Sequence, residues 1–310
     1  MPGKPARVLV TGGAGFIGSH VADAFLADAA AVLVMDDLST GLAENVPAAA
    51  ELERVDIVDE QQLGDVFVRF KPDVVCHLAA QASVTVSVER SQHDLDVNVR
   101  GTLNVCEAAR TARAPVIFAS TGGAIYGNDA PLPTPESFPP APLAPYGASK
   151  LAAEAYVATW GRLHGLPNVV LRLGNVYGPR QQPHGEAGVV AIFSDRIGRG
   201  EQVVVYGFGE PTRDYVHVAD VARAFVTAAA AGRPGTFNVG TARETSVLGL
   251  LKLLQGEAGT EIQPDLQPLR PGELNRSALD PAAIERELGW RAMIPVEQGL
   301  PETFRAFALS

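Results

Sequence analysis

A tyrosine and a lysine four residues apart, Tyr146 and Lys150, have types and spacing that could do chemistry. This spacing places both side chains on one face of a helix. At about 4 Å and an effective dielectric of about 20, the lysine cation favours the phenolate by roughly 4 kcal/mol, or about three pKa units. The pair therefore predicts that Tyr146 is a general base at pH 7. The pair alone is not specific, because any helix can carry an exposed Tyr and an exposed Lys at this spacing.

A glycine-rich turn near the N-terminus could bind a dinucleotide. Gly12, Gly15 and Gly18 fit the form G-x-x-G-x-x-G. A strand-like run, Arg7 to Thr11, precedes them, and an amphipathic segment, Ile17 to Ala27, follows. The backbone N–H groups of such a turn, together with the helix N-terminus, can approach a pyrophosphate. An ordinary turn with a close helix–strand contact is the alternative.

A carboxylate at the expected end of the second strand indicates which dinucleotide binds. Asp36 follows the apolar run Ala31 to Met35, about 20 residues after the glycines, where it can accept both ribose hydroxyls of the adenosine. The same charge would repel a 2′-phosphate, so the sequence favours NAD over NADP. Asp36 or Asp37 could instead cap a turn. Asp56 could meet the adenine amino group, although it or Asp59 could equally be a helix N-cap.

Strand-like and helix-like segments alternate through the first half of the chain. The strand-like runs after the second are Val74 to Leu78, Val116 to Ala119 and Asn168 to Leu173, and the helix-like ones are Asp59 to Phe70 and Asp94 to Thr111. This order predicts an α/β fold with a doubly wound parallel sheet (Rossmann), whose ligands lie at the carboxyl ends of the strands. The glycine turn, Asp36, Ala79, Ser120 and Thr121 are expected at that edge.

The domain organisation follows from a change in composition. We expect residues 1–173 to form an NAD-binding Rossmann domain. Residues 174–310, richer in Gly/Pro punctuation and in Arg mixed with aromatic residues, are expected to form mainly a smaller C-terminal α/β lobe for the substrate. A segment near 205–240 is expected to return to the Rossmann sheet.

Charge and composition exclude several classes of partner. Lys+Arg number 25 against Asp+Glu 35, for a formal net charge of −10. An acidic balance with no basic run argues against nucleic acid and against an anionic membrane surface. The sequence contains no apolar run of 18 or more residues and no leader-like segment, so a cytoplasmic protein is expected. Cys76 and Cys106 lie in apolar or helical patterns and predict core residues, with neither a disulfide nor a metal site.

Further motifs extend these observations along the chain. They are Asp36-Asp37-Leu38-Ser39-Thr40-Gly41, His77-Leu78-Ala79-Ala80-Gln81, Asn98-Val99-Arg100-Gly101-Thr102, Tyr126-Gly127, the segments 172–180, 185–190 and 213–218, and Arg270-Pro271-Gly272-Glu273. With them the chain resembles the extended short-chain dehydrogenase/reductase superfamily over nearly its full length, and more narrowly the bacterial UDP-glucose 4-epimerase family. The resemblance implies an NAD-dependent 4-epimerase of UDP-sugars that works through a transient 4-keto sugar. It also implies a homodimer formed through the helices Asp94 to Thr111 and Tyr146 to His164.

The resemblance also implies roles for single residues. Tyr146 would take the proton of the sugar 4-hydroxyl, and Lys150 would hold the nicotinamide ribose. The implied cofactor-binding residues are Gly12, Gly15, Phe16, Ile17, Gly18, Asp36, Asp37, Ser39, Thr40, Gly41, Asp56, Ile57, Leu78, Ala79, Ala80, Asn98, Tyr146 and Lys150. The implied substrate-binding residues are Thr121, Tyr146, Asn175, Val189, Val190, Arg213, Arg270 and Ser277, with the two arginines on the diphosphate.

The chain departs from the family pattern at one catalytic position. The family usually has Ser or Thr four residues before its Tyr-Gly, and this chain has Gly122 there. We expect Thr121 to supply the hydroxyl, with Ser120 as the alternative. The following positions, Gly123 and Ala124, lack the acidic groups of sugar-nucleotide dehydratases and decarboxylases, so elimination is not expected.

Ser277 bears on substrate specificity, and the reaction itself has alternatives. A small residue at that position accompanies tolerance of N-acetylhexosamines in related epimerases, so UDP-GlcNAc is an expected further substrate. The alternatives are another nucleotide-sugar epimerase, a 4-ketoreductase that consumes its cofactor, and a sensor or scaffold that binds NAD without chemistry. The last often lacks the Tyr or the Lys, and both are present here.

Overall fold

The computed structural model describes residues 4–183, 188–269 and 274–308. Its strands are β1 (Arg7–Thr11), β2 (Ala31–Asp36), β3 (Glu51–Arg54), β4 (Val74–His77), β5 (Val116–Thr121), β6 (Val169–Leu173), β7 (Asn175–Tyr177), β8 (Val204–Tyr206), β9 (Thr212–Arg213), β10 (Tyr215–His217), β11 (Gly235–Val239), β12 (Thr245–Ser246) and β13 (Asp265–Gln267). Among the described residues, seven strands form one sheet in the order β11-β6-β5-β4-β1-β2-β3. All of its neighbouring strands are parallel. The predicted doubly wound sheet is confirmed.

Helices cover both faces of this sheet. They are α1 (Phe16–Ala27), α2 (Glu60–Phe70), α3 (Val84–Glu89), α4 (Ser91–Leu95), α5 (Thr102–Ala112), α6 (Gly122–Ile125), α7 (Pro145–His164), α8 (Val189–Gly198), α9 (Val218–Ala231), α10 (Val247–Ala258), α11 (Ala282–Leu288) and α12 (Val296–Ala308). Short 3-10 turns lie at Ala43–Asn45 and Gly207–Gly209, and a π-helical segment lies at Asp96–Gly101. Residues alternate between the faces along β1, with Val8 and Val10 in one core and Leu9 in the other. Burial on both faces explains why the inner strands β1, β2, β4 and β5 are nearly continuous apolar runs.

The predicted helix Asp94 to Thr111 is interrupted. The π-helical segment Asp96–Gly101 joins α4 to α5. The Thr102 hydroxyl donates to the Asn98 carbonyl at 2.6 Å within this turn. A Cβ on Gly101 would lie 2.6 Å from the Ile57 Cδ1, so only glycine fits there without displacement. The spacing of apolar residues does not distinguish a widened turn from a regular one, and the interruption was therefore not predicted.

The second half of the chain builds a third core and also returns to the sheet. Helices α8, α10 and α12 pack around Phe193, Leu250 and Leu300. Helix α9 then packs against α1, and β11 pairs with β6 at the sheet edge. Cys76 and Cys106 are buried, as predicted for core residues, and both are free thiols. No helix within the described ranges is long and apolar enough to cross a membrane.

Candidate active site

Helix α7 carries Tyr146 and Lys150 to the carboxyl end of β5. Pro145 begins the helix, at a position where the missing N–H costs nothing. Tyr146 is half-buried, whereas Lys150 is only 3% exposed. The Lys150 Nζ lies 4.3 Å from the centroid of the Phe118 ring on β5, at cation–π distance. The helix therefore presents both groups to one end of the sheet.

Burial, rather than the lysine, dominates the acidity of Tyr146. Burial and the nearby charge of Asp94 raise the pKa of Tyr146 to about 12, and a hydrogen bond with Thr121 acts in the opposite direction. Burial lowers the pKa of Lys150 to about 7, against the effect of Glu154 and Asp94. The prediction that Lys150 brings the phenol to neutral pH is therefore wrong for the ligand-free chain. Additional positive charge at the site is required before Tyr146 can act as a base at pH 7.

The two candidate hydroxyls at the end of β5 have different partners. The Thr121 hydroxyl lies close enough to the Tyr146 phenol to lower its pKa. The Ser120 hydroxyl donates to the Glu154 Oε1 at 2.5 Å and is buried. Consecutive strand residues point to opposite sides, so the two hydroxyls cannot share a role. This geometry favours Thr121 over Ser120 as the partner of the phenol.

Leu279 occupies the space that a side chain at position 122 would need. A Cβ on Gly122 would lie 2.5 Å from the Leu279 Cδ1 and 2.6 Å from its Cδ2. Leu279 is 1% exposed and packs with Ile125 and Tyr126. The side chain that the family usually carries at this position is thus replaced in space by Leu279.

A buried ion pair holds α7 against the strands. The Arg172 Nη2 and the Glu154 Oε2 are 2.7 Å apart, and both side chains are less than a tenth exposed. Arg172 also donates to the Tyr126 hydroxyl at 2.8 Å, which in turn donates to the Asn238 Oδ1 at 3.1 Å. Because each charged group has several partners, the desolvation of the pair is compensated. The network links α7, β6 and β11.

The glycine turn forms a cradle of closely packed backbone at the start of α1. Gly12 has φ +69°, and a Cβ on it would lie 2.5 Å from the Ala79 nitrogen. A Cβ on Gly18 would collide with the Gly12 carbonyl oxygen. Gly15 is the N-cap of α1 and offers no side-chain cap, while Phe16 and Ile17 form the first helical turn. The first N–H groups of α1 therefore remain for an anion, and the residues present fit a dinucleotide.

Asp36 lies at the same edge of the sheet, at the end of the neighbouring strand β2. It is 7% exposed, and its oxygens accept the N–H groups of Ala14 at 3.0 Å and Leu38 at 2.9 Å. Burial raises the pKa of this carboxyl. A carboxylate has about four acceptor positions, so two remain for ribose hydroxyls. Asp37 accepts both the N–H and the hydroxyl of Ser39, which shapes the turn leading to Gly41.

Comparison with known proteins agrees with this geometry. Residues 8–240 match the model of the NAD dependent epimerase/dehydratase family. The chain belongs to this family. It is 44% identical to a UDP-glucose 4-epimerase of Mycolicibacterium smegmatis, over 97% of this chain and 98% of that protein.

Two solved structures of the same family are also similar. A UDP-glucose 4-epimerase of Thermotoga maritima with UDP-glucose has a TM-score of 0.95 at 44% identity, covering 97% of this chain and 98% of that one. A UDP-glucose 4-epimerase of Thermus thermophilus in complex with NAD has a TM-score of 0.91 at 45% identity, with the same coverage.

The other cofactor residues implied by the family resemblance lie around this cradle. Asp56 is exposed and accepts the N–H of Val58, whereas Asp59 is the N-cap of α2. The loop Leu78 to Ala80 lies against Gly12. Asn98 directs its amide to Gln81, Asp94 and Ser149. Its side chain therefore positions these segments of the protein instead of extending freely towards a ligand.

The substrate residues implied by the family resemblance lie mostly beyond β6. The side-chain oxygen of Asn175 lies 3.4 Å from where a Cβ on Gly123 would be. Arg213 is half-buried and donates to the Thr212 carbonyl at 2.9 Å, and the Ser277 N–H donates to the same oxygen at 3.2 Å. The structure thus brings Arg213 and Ser277 together. Arg270 lies outside the described residues.

The two valines of α8 differ. Val189 is half-buried, whereas Val190 is 1% exposed and packs in the third core. The Val190 side chain contacts protein, and only its backbone is left for a ligand.

Sequence reasoning gave no role to Asp214, which joins separate segments of the second half of the chain. It is fully buried, and its carboxylate accepts the N–H groups of Thr241, Ala242 and Leu279 and the hydroxyl of Thr241. Its carbonyl accepts the Asn175 N–H at 2.7 Å. The only sequence signal for Asp214 was its position next to Arg213. Its hydrogen-bond partners lie 27 and 65 residues away in the sequence and cannot be inferred from residue spacing.

Proposed function

We propose that this chain is a UDP-glucose 4-epimerase that interconverts UDP-glucose and UDP-galactose with NAD as its cofactor. The observation that carries the proposal is the placement of Tyr146, Lys150 and Thr121 at the sheet edge that also holds the glycine cradle. Asp36 at that edge favours NAD over NADP. The relatives with UDP-glucose and with NAD support this assignment.

The chain's residues manage the proton and the orientation of the sugar. When bound, NAD supplies a reversible acceptor of hydride from C4. Tyr146 removes the proton of the 4-hydroxyl, and Thr121 aligns the phenol oxygen with that hydroxyl. Lys150 holds the nicotinamide ribose. After the 4-keto sugar turns, Tyr146 returns the proton, C4 is inverted and nothing is consumed.

Several further points belong to this proposal. Arg213 and Arg270 neutralise the diphosphate in a chain of net charge −10. The small Ser277 leaves room for a 2-acetamido group, so UDP-GlcNAc is a second substrate. Residues 1–173 bind NAD, and residues 174–310 mainly bind the sugar nucleotide. The enzyme acts in the cytoplasm as a homodimer.

The first test is incubation of the purified protein with UDP-galactose and, separately, UDP-GlcNAc, without added cofactor. We expect chromatography to show UDP-glucose and UDP-GalNAc respectively. Conversion of UDP-galactose alone would remove the assignment of Ser277. No conversion after NAD is supplied would contradict the epimerase, and stoichiometric consumption of NADH with a keto sugar would establish a ketoreductase.

Tyr146→Phe tests the base directly. We expect kcat to fall by about 10³ or more, because proton transfer is lost, while NAD remains bound. Tyr156→Phe, on the same helix but 39% exposed, is the matched control and should keep kcat. Normal turnover by Tyr146→Phe would contradict its role as the base.

Thr121→Val and Thr121→Ser test the hydroxyl. The valine keeps the shape but loses the hydrogen bond with Tyr146, so we expect kcat to fall about 100-fold, whereas serine should retain most of it. Undiminished kcat in Thr121→Val would remove the assignment.

A further inference from the structure

A line of buried hydrogen bonds runs through His77, to which the proposed function gives no role. Thr11, His77 and Thr102 are each at most 1% exposed. The His77 Nδ1 lies 2.6 Å from the Thr11 Oγ1, and the Nε2 lies 3.0 Å from the Thr102 Oγ1. The imidazole therefore bridges the end of β1 and the start of α5.

The direction of the bond at Nε2 follows from its neighbours. The Thr102 hydroxyl donates its hydrogen to the Asn98 carbonyl at 2.6 Å. Its oxygen can then only accept a hydrogen from the His77 ring. The proton of the imidazole consequently lies on Nε2.

The bond at Nδ1 has the complementary direction. The Thr11 Oγ1 accepts the N–H groups of Leu78 and Ala79, both at 3.2 Å. Its own hydrogen is then available for Nδ1, which accepts it in the neutral ring. Burial and the Lys150 cation lower the pKa of His77 to about 3, in agreement with a neutral imidazole.

The two ends of this line reach the two parts of the candidate site. At one end, the Ala79 nitrogen lies only 2.5 Å from the position that a Cβ on Gly12 would take. The loop that contains Ala79 therefore borders the glycine cradle. At the other end, the Asn98 amide donates to the Ser149 Oγ at 3.1 Å. Ser149 in turn donates to the Tyr146 carbonyl at 3.0 Å.

We propose that His77 is a positioning residue that fixes the cofactor cradle relative to the helix of Tyr146 through its Nε2–H tautomer. The inference rests on the proposed function. A histidine that only fills the core would affect the stability of the fold without altering cofactor affinity or turnover in the folded protein. The two roles are therefore separable.

The tautomer is measured in the unmodified protein by ¹⁵N nuclear magnetic resonance with labelled histidine. The His77 ring can be assigned through its contacts with Phe118, since the two ring centroids are 5.5 Å apart. We expect the Nε2–H tautomer unchanged from pH 5 to pH 8. An Nδ1–H tautomer, or titration near the ordinary pKa of about 6.5, would overturn the proposal.

The positioning role is tested with Thr102→Val and Thr102→Ser. The valine leaves the Nε2–H without an acceptor, so we expect NAD to bind about tenfold more weakly and kcat at saturating NAD to fall about tenfold. The KM for UDP-galactose should change less than about twofold, since Arg213 and Asn175 are not part of this line. Serine restores the hydroxyl and should restore both quantities.

The outcomes separate this inference from the proposed function. Unchanged NAD affinity and kcat in a folded Thr102→Val protein, with only a lowered Tm, would overturn the positioning role. If Thr102→Val does not fold, the tautomer measurement and the variant His77→Asn take its place. The asparagine side chain is shorter than histidine and is designed to keep the bond to Thr11 and lose the bond to Thr102. Its NAD affinity and kcat are measured in the same way, and unchanged values would overturn the positioning role. Calorimetric NAD affinity does not depend on epimerisation, so failure of the reaction leaves this test informative.

Discussion

Lys150 shows how one buried residue couples the site to stability. Its cation lies against Phe118 and is almost fully buried, and burial lowers its pKa to about 7. Between pH 7 and the ordinary pKa of about 10.5, the unfolded chain binds more protons than the folded one. The free energy of unfolding of the ligand-free protein therefore rises with pH in this window, by up to about 1.4 kcal/mol per pH unit from this group.

Lys150→Met should remove this dependence. We subtract the free energy of unfolding of the unmodified protein from that of the variant, both measured by urea unfolding without NAD. We expect this difference to be about 2 kcal/mol more favourable to the variant at pH 7 than at pH 8.5. Lys252→Met on α10, where the lysine is exposed, is the control and should give a constant difference. If the free energy of unfolding of Lys150→Met and of the unmodified protein changed with pH in parallel, the lowered pKa of the buried lysine would be contradicted.

At the scale of elements, local signals predicted strands β1, β2, β4, β5 and β6 of the sheet, whereas β3 was not predicted. The strand–glycine turn–helix unit at Gly12 was predictable because Gly12 has a positive φ, and Gly15 and Gly18 pack against Gly12 within that unit. The π-helical interruption at Asp96–Gly101 was not predictable, because the spacing of apolar residues fits a regular turn and a widened turn equally well. The acidity of Tyr146 was predicted with the wrong sign, because burial cannot be determined from a spacing of four residues.

The pairing of Gly122 with Leu279 is a testable element contact. Gly122→Ser restores the hydroxyl that the family usually carries, but its Cβ would lie 2.5 Å from the Leu279 Cδ1. We expect a loss of stability of about 1–3 kcal/mol from overpacking. Gly256→Ser, where a Cβ meets nothing within 4 Å, is the control substitution in α10.

A double-mutant cycle shows whether the contact is the cause. Leu279→Ala makes space for the serine, so the loss in the double variant should be smaller than the sum of the two single losses by about 1–3 kcal/mol. The measurement is urea unfolding of the four proteins. Additive losses would mean that Leu279 does not select glycine at position 122.

At the scale of the whole molecule, long-range contacts fix the two halves of the candidate site together. Asp214 ties β10 to the segments at Thr241 and Leu279, and Leu279 in turn packs against Gly122. The ion pair of Arg172 and Glu154 links β6 to α7. The composition predicted two lobes, but these contacts join residues far apart in sequence, and no sequence pattern could have identified them.

Exposed apolar side chains lie on the two helical segments proposed to form the dimer. Leu95 is 56% exposed at the end of α4, and Leu163 is 67% exposed on α7 with Tyr156 one heptad before it. A second copy of the chain would remove them from water.

Leu163→Glu should therefore shift the protein towards a monomer, because a buried unpaired carboxylate opposes association. Light scattering after gel filtration measures the change, and calorimetry should show NAD affinity within about twofold of the unmodified protein, since Leu163 lies far along α7 from Tyr146. Val68→Glu on α2, where the valine is 71% exposed, is the matched control and should leave the mass unchanged. If both variants keep the mass of the unmodified protein, Leu163 on α7 does not lie in the interface.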